Sequence, residues 1–274
     1  MDTVQATIYV LQTAVSIHKQ DGGQSDEIAA NRGVIGHNGT LRNHLAIEYD
    51  IISNPSIFHS YILIAMFSIQ SFFSRDNKFF DLLEASAAET LALTHLLVEL
   101  LKNRKHSQPL DDFAKARGND KLITDEISRE LVNTFVTGLE REDIEMLSYA
   151  LYKTCKTIEK FAERFNLAPP RMEGVDFSKQ TVLIERATET LTEMIRQLRK
   201  MPSLEKMKAL NDRMQAIESE ADDVILNLLC GVYGGQYEPI QAMMVRDLHD
   251  LLEKVIDRCR DAANAVTHIV MKNS

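Results

Sequence analysis

From Phe72 to the C-terminus an apolar residue recurs every third or fourth position almost without a break, and proline stands only where such stretches end. That spacing dictates a series of helices, because it gathers apolar side chains into one stripe per segment only at the helical period. The segment "KFFDLLEASAAETLALTHLLVELLKN" carries its stripe through Phe79, Leu83, Ala87, Leu91 and Leu97 and ends on basic residues, as a helix C-terminus prefers. Further helices are expected over 119–136, 138–165, 177–200, 203–230 and 239–271. Pro169-Pro170, Pro202 and Pro239 fall at the junctions, where a missing backbone N–H costs little. The third helix is expected to open on a capping box in "TGLEREDI", with Thr137 as the cap and Glu140 reaching back. Six prolines and eleven glycines in 274 residues leave little that would break helices, so the fold class is all-α.

The same totals remove several functions. A net charge of −9 with no long Lys/Arg run argues against nucleic-acid binding. Cys155, Cys230 and Cys259 show no CxxC spacing and read as small buried apolar residues in a reducing compartment. Residues 1–65 differ from the rest of the chain. They hold 9 charged residues, six acidic and three basic, of the chain's 71, and "KQDGGQSDEIAANRGVIGHNGT" within them is turn-rich. They are expected to be a partly disordered extension to a helical domain over 66–274. Ile51 to Ser74 lacks charge, yet Asn54, Pro55, His59, Ser60 and Gln70 interrupt it and no basic flank orients it, so a membrane span is not expected.

The helical part repeats weakly. Setting "KLITDEISREL" (121–131) against "ESEADDVILNL" (218–228) pairs Lys121 with Glu218, Asp125 with Asp222 and Glu126 with Asp223. Further on, "LYKTCK" (151–156) against "LEKVID" (252–257) pairs Tyr152 with Glu253 and Lys156 with Asp257. The repeat implies two tandem three-helix bundles, repeat one over about 77–165 and repeat two over about 177–272.

The second repeat concentrates carboxylates. Glu218-x-x-x-Asp222 and Glu253-x-x-x-Asp257 each have i,i+4 spacing, which sets two Cβ atoms roughly 6 Å apart on one side of a helix. On the first of these helices Glu218 falls inside the apolar arc and Asp222 at its edge, while Glu220 and Asp223 point outward. On the second, Glu253 and Asp257 lie beyond the arc, toward solvent. Around the first cluster, Glu218 to Asp223, the nearest basic residues along the chain are Arg213 and Arg246, so the usual Lys or Arg three or four positions along is missing there. An ion from solvent is therefore expected to balance Glu218, Asp222, Glu253 and Asp257, and all-oxygen donors favour Mg, Mn or Fe ahead of Zn. A solvated acidic face is the alternative reading. Glu-x-x-His pairs of the ferritin kind are absent, His95, His249 and His268 stand alone, and no Gly-rich phosphate loop or nucleophile elbow occurs. "CGVYGGQYEP" reads as the turn between the fifth and sixth helices.

The stretches "FFSRDNKFFDLLE", "DEISRELVNTFVTGLEREDIEML", "ESEADD" and "LEKVIDRCRDAA" resemble the PhoU-like proteins of the phosphate-transport accessory kind, over Phe67 to Lys272. The resemblance implies two three-helix bundles with metal ions held at ExxxD motifs. It implies a cytoplasmic regulator, peripheral at the inner face of the membrane, acting on a Pit-type phosphate transporter without catalysis of its own, with a homodimer open. Members are about as long as Met66 to Ser274, so residues 1–65 are expected to be an addition or a mis-assigned start. Where the first repeat of the family carries acids, this chain has Lys121, Tyr152 and Lys156. That half is not expected to hold a metal cluster, and Lys121 or Lys156 is expected to donate to Asp125 instead. A helical interaction scaffold without metal is the alternative. A metalloenzyme activating water at the Glu218–Asp257 cluster is a third reading, disfavoured for want of a general base.

Overall fold

A computed structural model describes residues 55–102, 110–134 and 137–274, with side chains of the first segment from Asn77 onward. The expectations for residues 1–54 lie outside the described residues. The chain divides after Phe73, and the helical body is Ser74–Ser274. The six helices, in order, are α1 Pro55–Lys102, α2 Asp111–Asn133, α3 Arg141–Phe165, α4 Ser178–Leu198, α5 Leu204–Tyr233 and α6 Pro239–Lys272, with a short 3-10 turn at Pro169–Met172. No strand occurs among the described residues, so the expected all-α class holds. None of these helices, among the described residues, is long and apolar enough to cross a membrane.

Local chemistry explains most of the boundaries. Ser203 caps α5 by accepting from the Lys206 backbone N–H at 3.4 Å, and Glu238 caps α6 by accepting from Gln241 N–H at 3.4 Å, with Pro239 at the first helical position. Gly235, at φ +81°, makes the turn between them. α5 runs on through Cys230–Tyr233, so only the end of "CGVYGGQYEP" is turn. The capping box expected at Thr137 does not form. α3 starts at Arg141 with Glu140 as its N-cap and no side-chain cap. Glu140 instead receives the Lys272 ammonium at 2.7 Å, while Arg141 donates to the Thr134 carbonyl at 2.6 Å, answering the negative end of α2. α2 begins eight residues earlier than expected, since Asp111 and Asp112 suit its first turn and Gly118 proves to be an interior residue.

α6 packs against α3, α4 and α5, α2 packs against α3, and α4 against α5. α3 and α6 run antiparallel and are ion-paired at both ends. Lys272 meets Asp143 at 3.1 Å at one end, and Arg164 meets Asp247 at the other. Arg199, just past α4, reaches back to α1, to Glu84 at 2.9 Å and to Asp81. Buried apolar residues from all six helices join in one core. Among them Leu83, Leu147, Leu151, Phe161, Leu252, Val255 and Val266 are shut off from solvent. Phe161, Phe165 and Phe177 form an aromatic knot with edge-to-face contacts at about 6 Å. His249, expected as an isolated surface or satisfied residue, is buried there, stacked on Phe177 at 4.5 Å and bonded to Gln180. Of the cysteines, Cys155 and Cys259 are buried as expected, whereas Cys230 is exposed.

Because Leu252 is fully buried on the helix that touches three others, Leu252→Ala is expected to cost about 2–5 kcal/mol. A lower urea midpoint with unchanged slope checks this.

Candidate functional site

The site begins with the rotation of two helices. Met207, Met214, Ile217 and Ala221 point α5 into the core, which leaves Glu218 at its margin with a side chain 18% exposed. On α6 the buried run from Val245 to Val270 fixes the opposite wall. Glu253 and Asp257 sit half-buried beside it, not out toward solvent as their helical angle suggested. Asp222 and Asp223 are exposed.

These groups share one neighbourhood. The Arg260 guanidinium of α6 donates to Glu218 across the helix pair and stands 3.7 Å from Asp257 on its own helix. Burial, then the Asp257, Asp222, Asp250 and Glu218 carboxylates, push the Glu253 carboxyl up to about 7. Asp257 is likewise raised, by burial first and against the pull of Arg260. Carboxylates of both helices thus act on Glu253: Asp257 from its own helix, Asp222 and Glu218 from α5.

The missing cation is corrected by the same geometry. The positive charge that answers Glu218 is protein-borne, from Arg260, 42 positions on. Glu220 is answered by Arg186 of α4, in a two-pronged bond of 2.6 and 3.1 Å. Neither partner is visible to a search three or four positions along the chain. Arg260 had one signal in the sequence: it stands three positions after Asp257 and seven after Glu253, which places it on their row.

In the first repeat the expected donation from Lys121 or Lys156 to Asp125 is not found among the described residues. Lys78 of α1 supplies that region's cation, bonding Glu126 at 3.0 Å and Glu130 at 2.6 Å. Tyr152, at the place matching Glu253, lies against the Arg117 guanidinium at 3.9 Å.

Chemically, the α5–α6 row is a set of hard oxygen donors with unbalanced like charge at Glu253. Among the described residues no group of three or more His, Cys, Asp or Glu side chains is arranged to hold a metal ion. A cation would fit the chemistry of the donors but not their present placement, because Arg260 already engages Glu218.

No protein-family model matches the chain. Over 146 residues, 53% of this chain and 71% of the relative, it is 25% identical to UPF0111 protein YkaA of Bacillus subtilis (strain 168). Over 213 residues, 73% of this chain and 95% of the relative, it is 24% identical to a Rhizobium meliloti (strain 1021) protein named "Putative pit accessory protein". The chain is thus a distant homologue of the UPF0111 and Pit accessory proteins, as the resemblance implied. Neither relative carries an enzyme's name.

Glu253 gives a pH signature. Its carboxyl titrates near 7 in the fold against 4.5 in the open chain, so the folded state holds the extra proton between those values. Its contribution is fully present below pH 4.5 and is lost as pH rises through 7. Glu253→Gln should therefore leave metal-free protein more stable than the parent above pH 7, by on the order of 1–2 kcal/mol after allowance for solvent screening. Little difference is expected near pH 4.5, and thermal midpoints across that range check the sign.

Proposed function

We propose that this protein is a non-catalytic regulator of a membrane phosphate transporter of the Pit kind, acting at the cytoplasmic face and sensing cations through the α5–α6 carboxylate row. The observation that carries the reading is Glu253, a half-buried carboxyl crowded by four others, beside an arginine whose guanidinium is engaged by Glu218. A bound cation would remove that repulsion. The name of the Rhizobium meliloti relative supports the transporter as partner. The two three-helix bundles of the resemblance are supported by the mutual packing of α4, α5 and α6 and by the α2–α3 pair.

In this reading Glu253, Asp257 and Asp222 hold the ion, with Glu218 free to join once Arg260 lets go. Mg, Mn and Fe are the proposed ions, ahead of Zn, on the all-oxygen donor set. Arg260 and the ion then compete for one set of oxygens. Arg260→Ala should tighten Mn2+ binding by about tenfold, equivalent to one charged hydrogen bond. Asp222→Ala should abolish it. Calorimetric titration of chelator-treated protein checks both, and stoichiometric metal persisting in Asp222→Ala would move the site elsewhere. Co-purification of a phosphate transporter with the native protein, lost in Asp222→Ala, checks the partner.

The scaffold reading keeps one observation in its favour, the ion pairs that already answer Glu218 and Glu220. It requires elemental analysis of the purified protein to find no stoichiometric metal.

A further inference from the structure

A second polar row runs along α6 beside the carboxylate row, displaced by roughly 80° around the helix at 100° per residue. It comprises Arg258, Asp261 and His268, with Ala265 between them, and it faces Tyr149, Ala150 and Lys153 of α3 across a groove of about 380 Å³. The volume lies in the range of small-ligand sites. Ala150 and Ala265 give the groove its depth, because neither helix projects a long side chain there. Tyr149 is 56% exposed yet held in place: Tyr152 stacks on it at 6.3 Å and 14°, and Tyr152 in turn rests on Arg117 at 3.9 Å.

The groove carries two cations, Lys153 and Arg258, against one acid, Asp261, on a chain whose net charge is −9. The Lys153 ammonium stands 4.9 Å from the Tyr149 ring centroid. Lys153 first, then Arg258 and Lys156, hold the Tyr149 phenol below its usual range, so three cations act on one point. The acid in the groove, Asp261, is already shared by Arg258 at 3.4 Å and Arg260 at 3.6 Å. What remains is an exposed aromatic ring on an apolar floor, with Lys153 beside it and Arg258 shared with Asp261. That combination suits a flat ring that stacks and an anionic group that pairs with Lys153 and Arg258.

We propose that the α3–α6 groove binds a small molecule bearing a phosphate group on a flat apolar body, a nucleoside phosphate in type, with the ring on Tyr149 and the phosphate between Lys153 and Arg258. Charge complementarity selects the anion, and the tyrosine selects the flat body over bare phosphate. The groove uses none of the carboxylates assigned to the cation, although its Asp261 meets Arg260 of that row at 3.6 Å, and omitting metal from the titration keeps the two tests distinguishable.

The test is calorimetric titration of the full chain with ATP, without added metal. Saturable binding near one per chain is expected, weakened at high salt. Lys153→Glu and Tyr149→Ala should each weaken it by about tenfold or more, Tyr149→Phe should largely retain it, and inorganic phosphate should bind at least about tenfold more weakly than ATP. Tyr149 is exposed and Lys153 is only partly buried, so circular dichroism should be unchanged in the variants. Absence of saturable ATP binding overturns the proposal, as does binding undiminished in Lys153→Glu. Phosphate binding as tightly as ATP overturns the stacking, and capture by anionic phospholipid vesicles without ATP binding assigns the groove to a lipid surface instead.

Discussion

The molecule depends on burial of one stripe of α6 against three neighbours at once. Val245, Leu248, Leu252, Val255, Cys259, Ala262 and Val266 turn that stripe inward, and α3, α4 and α5 enclose it. A helix held on three sides has no freedom to rotate. Every polar row on its outer side is then assigned to a fixed partner. The row of Glu253, Asp257 and Arg260 falls toward α5, and the row of Arg258, Asp261 and His268 toward α3. Lys272 and Arg164 lock the axial register of α3 against α6 from opposite ends.

The electrostatics of the α5–α6 row come from that fixed geometry. Carboxylates that could splay apart on free helices are kept close, and half-burial removes the water that would screen them. One arginine cannot satisfy the row. Arg260 reaches Glu218, Asp257 and Asp261, and Glu253 is left with like charges around it. The fold therefore keeps an unbalanced charge at one position, and a proton or a cation can neutralise it.

The sequence was most legible where one helix decides the answer. Periodicity located all six helices because each stripe is a property of its own segment, and it put Glu218 at the margin of the packed side of α5, whereas Glu253 and Asp257 of α6 lie half-buried where their helical angle pointed to solvent. It was least legible where two helices decide together. Arg260 for Glu218 and Arg186 for Glu220 are separated by 42 and 34 positions, and only the packed bundle brings them near. The Thr137 cap failed for the same reason: Glu140 was drawn to Lys272, 132 positions away, and a local capping rule has no access to that competitor. The early start of α2 was hidden by Gly118, whose helix-breaking tendency is smaller than the gain from burying Phe113 and Ala116.

The two halves place their charge differently. In the first half the charge is interior. Asp120 is fully buried, accepts from Ser86 at 2.7 Å, and meets Arg117 only at 3.9 Å. Burial raises its carboxyl. Arg117, its side chain 10% exposed, turns to Glu159 at 3.7 Å and to the Tyr152 ring. A cation built in this way is not exchangeable, because removing it would strand a buried carboxylate without water to replace it. In the second half Arg260 is 32% exposed and its partners lie at the rim, where water reaches them. The first half thus keeps its charge in the interior beside Tyr152, and the second keeps its charge at the rim.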